Sequence, residues 1–293
     1  MSIFVIADLH LSLRVPKPMD IFGDNWSGHE EKIKKDWLEK VKENDLVILP
    51  GDFSWETYLE NTKLDFGYLN SLPGKKLMLK GNHDYWWTTL TNMRKFLQEN
   101  NFTNIDFLYN NSYEFEDKIL CGTRGWSIAD EEADEKLINR ELIRLELSLQ
   151  DGVKKYGNNK EIIVFMHYPP ITKVKIELEQ EAKFVELMKK YNVKRCYYGH
   201  LHGASIKDAI EGEVEGIQFK LIKSHLSLLA KFFEYSFLPI LFSNSFALVF
   251  IVSCKILKLI ASFSEDSNVF SFAATALFKI PFCPVNILML IPC

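Results

Sequence analysis

Five short apolar runs in the first 200 residues each end on a side chain able to bind a metal or carry a proton. The runs cover residues 3–7, 46–50, 76–79, 162–166 and 195–198. Each is bounded by polar or turn-forming residues, the pattern of a buried β-strand. Between them, residues 30–43 repeat Ile33, Trp37 and Val41 at helical spacing. Residues 133–149 likewise place Ile138, Leu142, Leu145 and Leu149 on one stripe with charges opposite. Residues 115–121 and 217–222 read as further strands. Strands alternating with helices, then strand-rich segments, predict an α/β layered sandwich with its helices outside.

The chemistry sits where the strands stop. Asp8 and His10 follow the first run, spaced so that an extended chain points both to one side. Gly51-Asp52 follow the second and Gly81-Asn82-His83-Asp84 the third. His167 ends the fourth, and Gly199-His200-Leu201-His202 the fifth, so five of the seven histidines lie just past a predicted strand. In open α/β sheets that edge is where ligands bind. Taken singly, each piece has a plain structural reading. An Asp-x-His or a Gly-Asp is commonly a turn, and His167 ahead of Tyr168-Pro169-Pro170 is a packed residue before a stiffened loop. Gly-His-x-His is already a fair chelate. Independent turns do not put Asp, His, Asp, Asn, His, His and His at successive strand ends, and the conjunction predicts a metal site.

Composition excludes other classes. With 39 acidic and 35 basic residues the net charge is −4. That leaves no clustered cations to displace counterions from a nucleic acid. Five cysteines, an odd number, form no Cys-x-x-Cys pair, which excludes a Cys-rich zinc site, gives no sign of a disulfide framework and predicts a reducing compartment. The first residues lack a charged segment and a long apolar run, so they read as a strand rather than a signal peptide. The expected location is cytoplasmic. Composition breaks near Lys223: residues 224–293 hold seven of the 74 charges but 11 of the 22 Phe. Residues 1–223 are therefore taken as one domain and 224–293 as a hydrophobic tail. Residues 235–254 carry no charge and are long enough for a membrane span flanked by Lys255 and Lys258. Pro239 and Ser243-Asn244-Ser245 interrupt that span. Two readings stay open: a membrane-associated appendage, or a frame-shifted, non-native continuation.

Asp8-x-His10, Gly51-Asp52, Gly81-Asn82-His83-Asp84, His167 and Gly199-His200-x-His202, in that order, resemble the five blocks of the calcineurin-like metallophosphoesterases. The likeness spans residues 1–222. Residues 22–26, 81–87 and 122–126 are similar to a bacterial branch of that family. The resemblance implies a four-layer α/β sandwich of two mixed β-sheets flanked by helices, with two divalent metal ions at the C-terminal edge of the strands. It implies Asp8, His10, Asp52 and His202 on one ion, and Asp52, Asn82, His167 and His200 on the other, with Asp52 as the bridge. A carboxylate can span ions about 3.5–4 Å apart. Ligands without thiolate suit Mn, Fe, Zn, Ni or Co.

The implied reaction is hydrolysis of a phosphomonoester, a phosphodiester or a phosphoprotein. His83 is expected as general acid. Asp84 either orients that imidazole or caps a helix over residues 85–95. Arg124 either grips substrate phosphate or forms a structural ion pair. Trp26, Trp55, Trp86, Trp87 and Trp126 lie near the motif loops, as a pocket wall or as core. His29 and His225 match no block. Two other classes remain: a scaffold that keeps the fold without catalysis, which predicts missing ligands, and a membrane-attached protein working through its tail.

Overall fold

The computed structural model describes residues 1–17, 19–22, 26–126, 131–172, 179–222 and 230–231, all within the first of the two units into which the chain divides, Met1–Phe233. The predicted membrane segment at 235–254 lies outside the described residues. Among those described, no helix is long and apolar enough to cross a membrane.

Two mixed sheets carry the fold. The first has the order β11-β1-β2-β3-β4, from Ala230–Lys231, Ile3–Val5, Leu46–Leu49, Lys75–Met78 and Ile105–Phe107. Strands β1 to β4 are parallel and β11 runs antiparallel along β1. The second has the order β5-β6-β7-β8-β10-β9, from Tyr113–Phe115, Lys118–Thr123, Glu161–Met166, Arg195–Tyr198, Ile217–Leu221 and Gly212–Val214. Strands β6, β7, β8 and β10 are parallel, with antiparallel β5 and β9 at the edges. Five α-helices among the described residues complete it: α1 (His29–Lys40), α2 (Lys63–Ser71), α3 (Leu90–Glu99), α4 (Glu131–Tyr156) and α5 (Glu179–Lys190).

Strand alternation shows how the layers stack. Successive side chains of a strand face opposite sides. Ile3, Val5, Ile48 and Leu77 join Leu120, Ile163, Phe165 and Tyr197 in one cluster between the sheets. The intervening Phe4, Val47 and Met78 pack instead with Trp37 of α1, Phe66 of α2 and Met93 of α3. On the other side, Cys121, Val164 and Tyr198 meet Leu145 of α4 and Met188 of α5. The order is helices, sheet, sheet, helices. Near-continuous apolar strands are what burial on both faces requires. The two cysteines among the described residues, Cys121 and Cys196, are buried free thiols.

Several expected elements move. The single strand at 115–121 is a hairpin, β5 and β6, with Glu116 at φ 55° in its turn. No glycine marks that turn, so the usual hairpin signal is absent. The first helix stops at Lys40, because Val41 is extended and donates to Trp37 O. Helix α4 runs on to Tyr156 through Gly152, which packs so closely on Ile119 that a Cβ would stand 2.7 Å from its Cγ2. Helices α2 and α5 and strands β4, β9 and β11 were not expected. Strand β11 supplies an edge of the first sheet from beyond Lys223.

Phe165 is fully buried between the sheets. Phe165→Ala is expected to lower the free energy of unfolding by about 3–5 kcal/mol, the range for truncating a buried aromatic. Denaturant unfolding, with metal content measured in parallel, checks it.

Candidate metal centre

The loops after β1, β2, β3, β7 and β8 converge at one edge, three from the first sheet and two from the second. Beyond β1 and β2 the chains stay side by side. His10 N donates to Asp52 O at 2.9 Å and Leu11 N to Phe53 O at 2.9 Å. Asp8 and His10 are not extended as the spacing suggested: β1 has ended, and they sit at φ 57° and 47°. Asp52 and His200 are also left-handed, at φ 53° and 69°. Four non-glycine residues held in that sparsely populated region mark the loops as constrained for their side chains rather than for local comfort.

Contacts between the sheets close the site. His167 reaches back from β7 to the carbonyl of Pro50 through Nδ1, at 2.9 Å, and His200 N donates to Asp8 Oδ2 at 3.2 Å. His83 N donates to Asp52 Oδ1 at 2.8 Å. Gly81 lets the β3 loop lie against Asp52, since a Cβ there would stand 2.1 Å from Oδ1.

Among the described residues, two groups of side chains can hold a metal ion, Asp8–His10–Asp52 and Asp52–His167–His200, with donor atoms in each within 4.8 Å of one another. Asp52 belongs to both. The donors fit cations better than each other. Asp8 Oδ1, His10 Nδ1 and Asp52 Oδ2 are buried without a hydrogen-bond partner among the described residues, a costly state for polar atoms. Asn82 turns its Oδ1 toward His167 Nε2 at 2.6 Å. With Nδ1–H given to Pro50, a neutral ring meets that oxygen with a lone pair only. A shared cation accounts for two acceptors aimed together.

Electrostatics agree. Burial pushes the Asp52 carboxyl up to about 6. Burial and the Asp52 charge raise Asp8 well above the ordinary range. Burial takes His167 down to about 3, and burial with His167 nearby does the same to His200. His10 is lowered by burial, then by His83. Neutral imidazoles beside ion-hungry carboxylates form a ready ligand set.

A family model for the calcineurin-like phosphoesterases matches residues 1–204. The chain belongs to that family. Solved structures similar to it include a protein of unknown function from Aquifex aeolicus, at 17% identity and TM-score 0.43, covering 78% of this chain and 95% of that one. Phosphopantetheinyl hydrolase from Mycobacterium tuberculosis is similar at 12% identity and TM-score 0.46, covering 79% and 95%. No curated protein matches the chain at a significant level. As a member of the family the protein is a hydrolase with a metal-binding site, and the four-layer sandwich agrees.

Other expected residues fall as follows. His202 leads into a short 3-10 helix, its ring edge-on to His10 at 6.0 Å. His83 keeps its ring clear of hydrogen bonds among the described residues and packs against Trp55 at 4.4 Å. Asp84 neither orients His83 nor caps a helix, because α3 starts at Leu90 behind Thr89. Its oxygens accept from the backbone N–H of Gly81 (2.7 Å), Asp52 (2.9 Å), Phe53 (2.9 Å) and Ser54 (3.3 Å), and from Trp86 Nε1 (3.0 Å). Arg124 makes no ion pair among the described residues; its guanidinium lies 4.4 Å over Trp126. Trp26, Trp86 and Trp87 are core, whereas half-buried Trp55 stacks on His10 at 4.8 Å. Buried His29 ties Trp26 O to Leu9 O. Pro50, whose carbonyl sets the His167 tautomer, carries no spacing signal in the sequence.

Two predictions follow from this geometry. Asp52 has a folded pKa of about 6, above its ordinary 3.8. It therefore favours folding below 3.8 and loses that contribution as pH rises through 6. At neutral pH, Asp52→Asn is expected to stabilise the metal-free protein, on the order of 2 kcal/mol, while metal content drops. Thermal melts with elemental analysis read both. Asp84→Asn replaces none of the candidate metal-binding side chains, yet turns an amide N–H₂ toward backbone donors that include Asp52 N. It should lower metal affinity by tenfold or more, measured by competition with a chelator; unchanged affinity would show that the loops hold without this carboxylate.

Proposed function

We propose that the protein is a dimetal phosphoester hydrolase. The observation that carries this reading is Asp52, common to both metal-capable groups and left with a buried, unpartnered Oδ2. In this reading Asp8, His10, Asp52 and His202 hold one divalent ion, and Asp52, Asn82, His167 and His200 the other. A bound pair of divalent ions supplies Lewis acidity toward the phosphoryl oxygens and makes hydroxide available near neutral pH. The ions would be drawn from Mn, Fe, Zn, Ni and Co, since the donors mix imidazole, carboxylate and amide oxygen.

The chain's own groups do the rest. The Asp84 clamp holds the β2 and β3 loops so that Asn82 and Asp52 keep a fixed separation, a positioning role. His83 is anchored through its backbone to Asp52 and held edge-on to His10 at 5.6 Å, so its ring borders the centre without being consumed by it. An imidazole there is suited to give a proton to the leaving alkoxide, and Trp55 limits how far it can swing. Arg124 adds positive charge on the His167 side, where Tyr168 N donates to Arg124 O at 2.9 Å. All seven ligand positions and His83 are present, which disfavours the non-catalytic scaffold. The substrates are phosphomonoesters or phosphodiesters.

The direct test is metal-stripped protein reconstituted with each candidate ion and assayed on an aryl phosphate and a bis-aryl phosphate. Turnover with none of them overturns the proposal. His83→Ala should keep its metal content but lose roughly 10²–10⁴-fold in kcat on esters with poor leaving groups. Its loss on an activated aryl ester should be far smaller. Equal losses on both would assign His83 to substrate binding instead.

A further inference from the structure

A general acid gives its proton to the departing oxygen, so the leaving group has to lie beside the acid. In the proposed reading that acid is His83. Three rings surround it: His10 at 5.6 Å, Trp55 at 4.4 Å and Tyr85 at 6.5 Å. His10 is a proposed ligand, and half-buried Trp55 is committed to it, stacked at 4.8 Å. Tyr85 is different. It is 66% exposed, and its hydroxyl has no hydrogen-bond partner among the described residues.

From Trp55 and from His83 the chain continues into one groove. Residues 57–60 follow Trp55, residues 85–88 follow His83, and these two segments with α3 line a space of about 740 Å³. That is the size of a small-molecule site, about 300–1,000 Å³. Tyr58 on the first segment matches Tyr85 on the second, being also 66% exposed with no partner for its hydroxyl among the described residues. Buried Trp87 and Phe96 add apolar surface to the lining. The charges disfavour an anionic occupant. Lys95 pairs with Glu99 at 3.7 Å, which leaves Glu60 as the surplus charge of the groove. Exposed tyrosines offer rigid ring faces at a small cost in side-chain entropy. Their quadrupoles favour a second aromatic ring in offset or edge contact.

We infer that this groove receives the leaving group of the ester, and that its preferred occupant is a flat, uncharged aromatic or heteroaromatic group. Tyr85, next to the proposed acid, and Tyr58 set that preference. The inference rests on the phosphoesterase reading above and adds the chemistry of the leaving group to it.

The test uses the metal-loaded full chain and pairs of esters whose alcohols match in acidity but differ in flatness. Phenethyl phosphate is set against cyclohexylethyl phosphate, and naphthylethyl against decahydronaphthylethyl phosphate, each as monoester and as symmetrical diester. Matched alcohols remove leaving-group activation from the comparison, and the saturated rings are no less apolar, so burial alone gives the aryl member no advantage. The aryl esters are expected to show kcat/KM about three- to tenfold higher, the scale of a ring–ring contact. A carboxylate on the aryl ring should cancel that gain, and added salt should restore part of it. Tyr85→Ala should bring the ratio near one and Tyr85→Phe should keep it, with metal content measured to show that the centre is loaded. Tyr58→Ala should lower the ratio as well. A ratio near one, or one indifferent to both tyrosines, would overturn the groove's role and leave the phosphoesterase reading standing. If no ester turns over, the phosphoesterase reading falls and calorimetry with the matching phosphonates decides the groove. A Tyr85-dependent preference for the aryl phosphonate supports it; equal binding of both members overturns it.

Discussion

The Asp84 carboxylate is the constraint on which the centre depends. It gathers four backbone N–H groups and one indole N–H, from the loops after β2 and β3, onto two oxygens. Burial and the Asp52 charge push its pKa up to about 7, against the pull of those donors. Few side chains could stand in: an amide brings a donor where donors already crowd, and a longer carboxylate would not fit where Gly81 lies against Asp52. Once the two loops are pinned, Asp52 has its Oδ1 occupied by His83 N, while its Oδ2 lies 3.6 Å from His167 Nε2 and 3.7 Å from His10 Nε2 with no hydrogen-bond partner among the described residues. A cation site arises from that imbalance.

Strain has the same origin. Asp8, His10, Asp52 and His200 all take left-handed backbone, each at a cost of order 1–3 kcal/mol. They hold because apolar runs on both sides of each sheet over-determine where the strands end, and the loops inherit that position. Unpartnered acceptors and strained backbone at one edge are offset by a core closed between the sheets and beneath the helices. Stability is spent where ligands are needed.

The strands were readable because burial on both faces writes them as short apolar runs, and their ends were readable because the candidate metal-binding side chains follow directly. Arg195–Tyr198 agrees to the residue, and the other four runs shift by two residues or fewer. What the sequence hid has physical causes. The turn at Glu116 has no glycine to announce it. Helix α4 runs on past the expected stripe because Gly152 lets it lie against Ile119. Asp84 looked like a partner for the adjacent imidazole, whereas its oxygens point to amides about thirty positions earlier. A carboxylate's direction cannot be read from its neighbours in sequence.

The proposed ligands are divided between the two sheets. Asp8, His10, Asp52 and Asn82 hang from the first sheet, and His167, His200 and His202 from the second. In the proposed dimetal reading each ion takes donors from both, so the ions tie together the same two layers that Phe165 and its neighbours pack. An ion that binds only the folded arrangement stabilises it by mass action. Removing it restores the burial cost of Asp8 and Asp52 without removing any apolar contact. Loss of metal and loss of core packing therefore act on one interface from its two ends. The first is electrostatic, at the strand ends; the second is apolar, along the strands. A protein built this way can tolerate a strained, acceptor-rich edge because the apolar interior alone fixes the distance between the sheets, and the ligands need only meet across a gap already set.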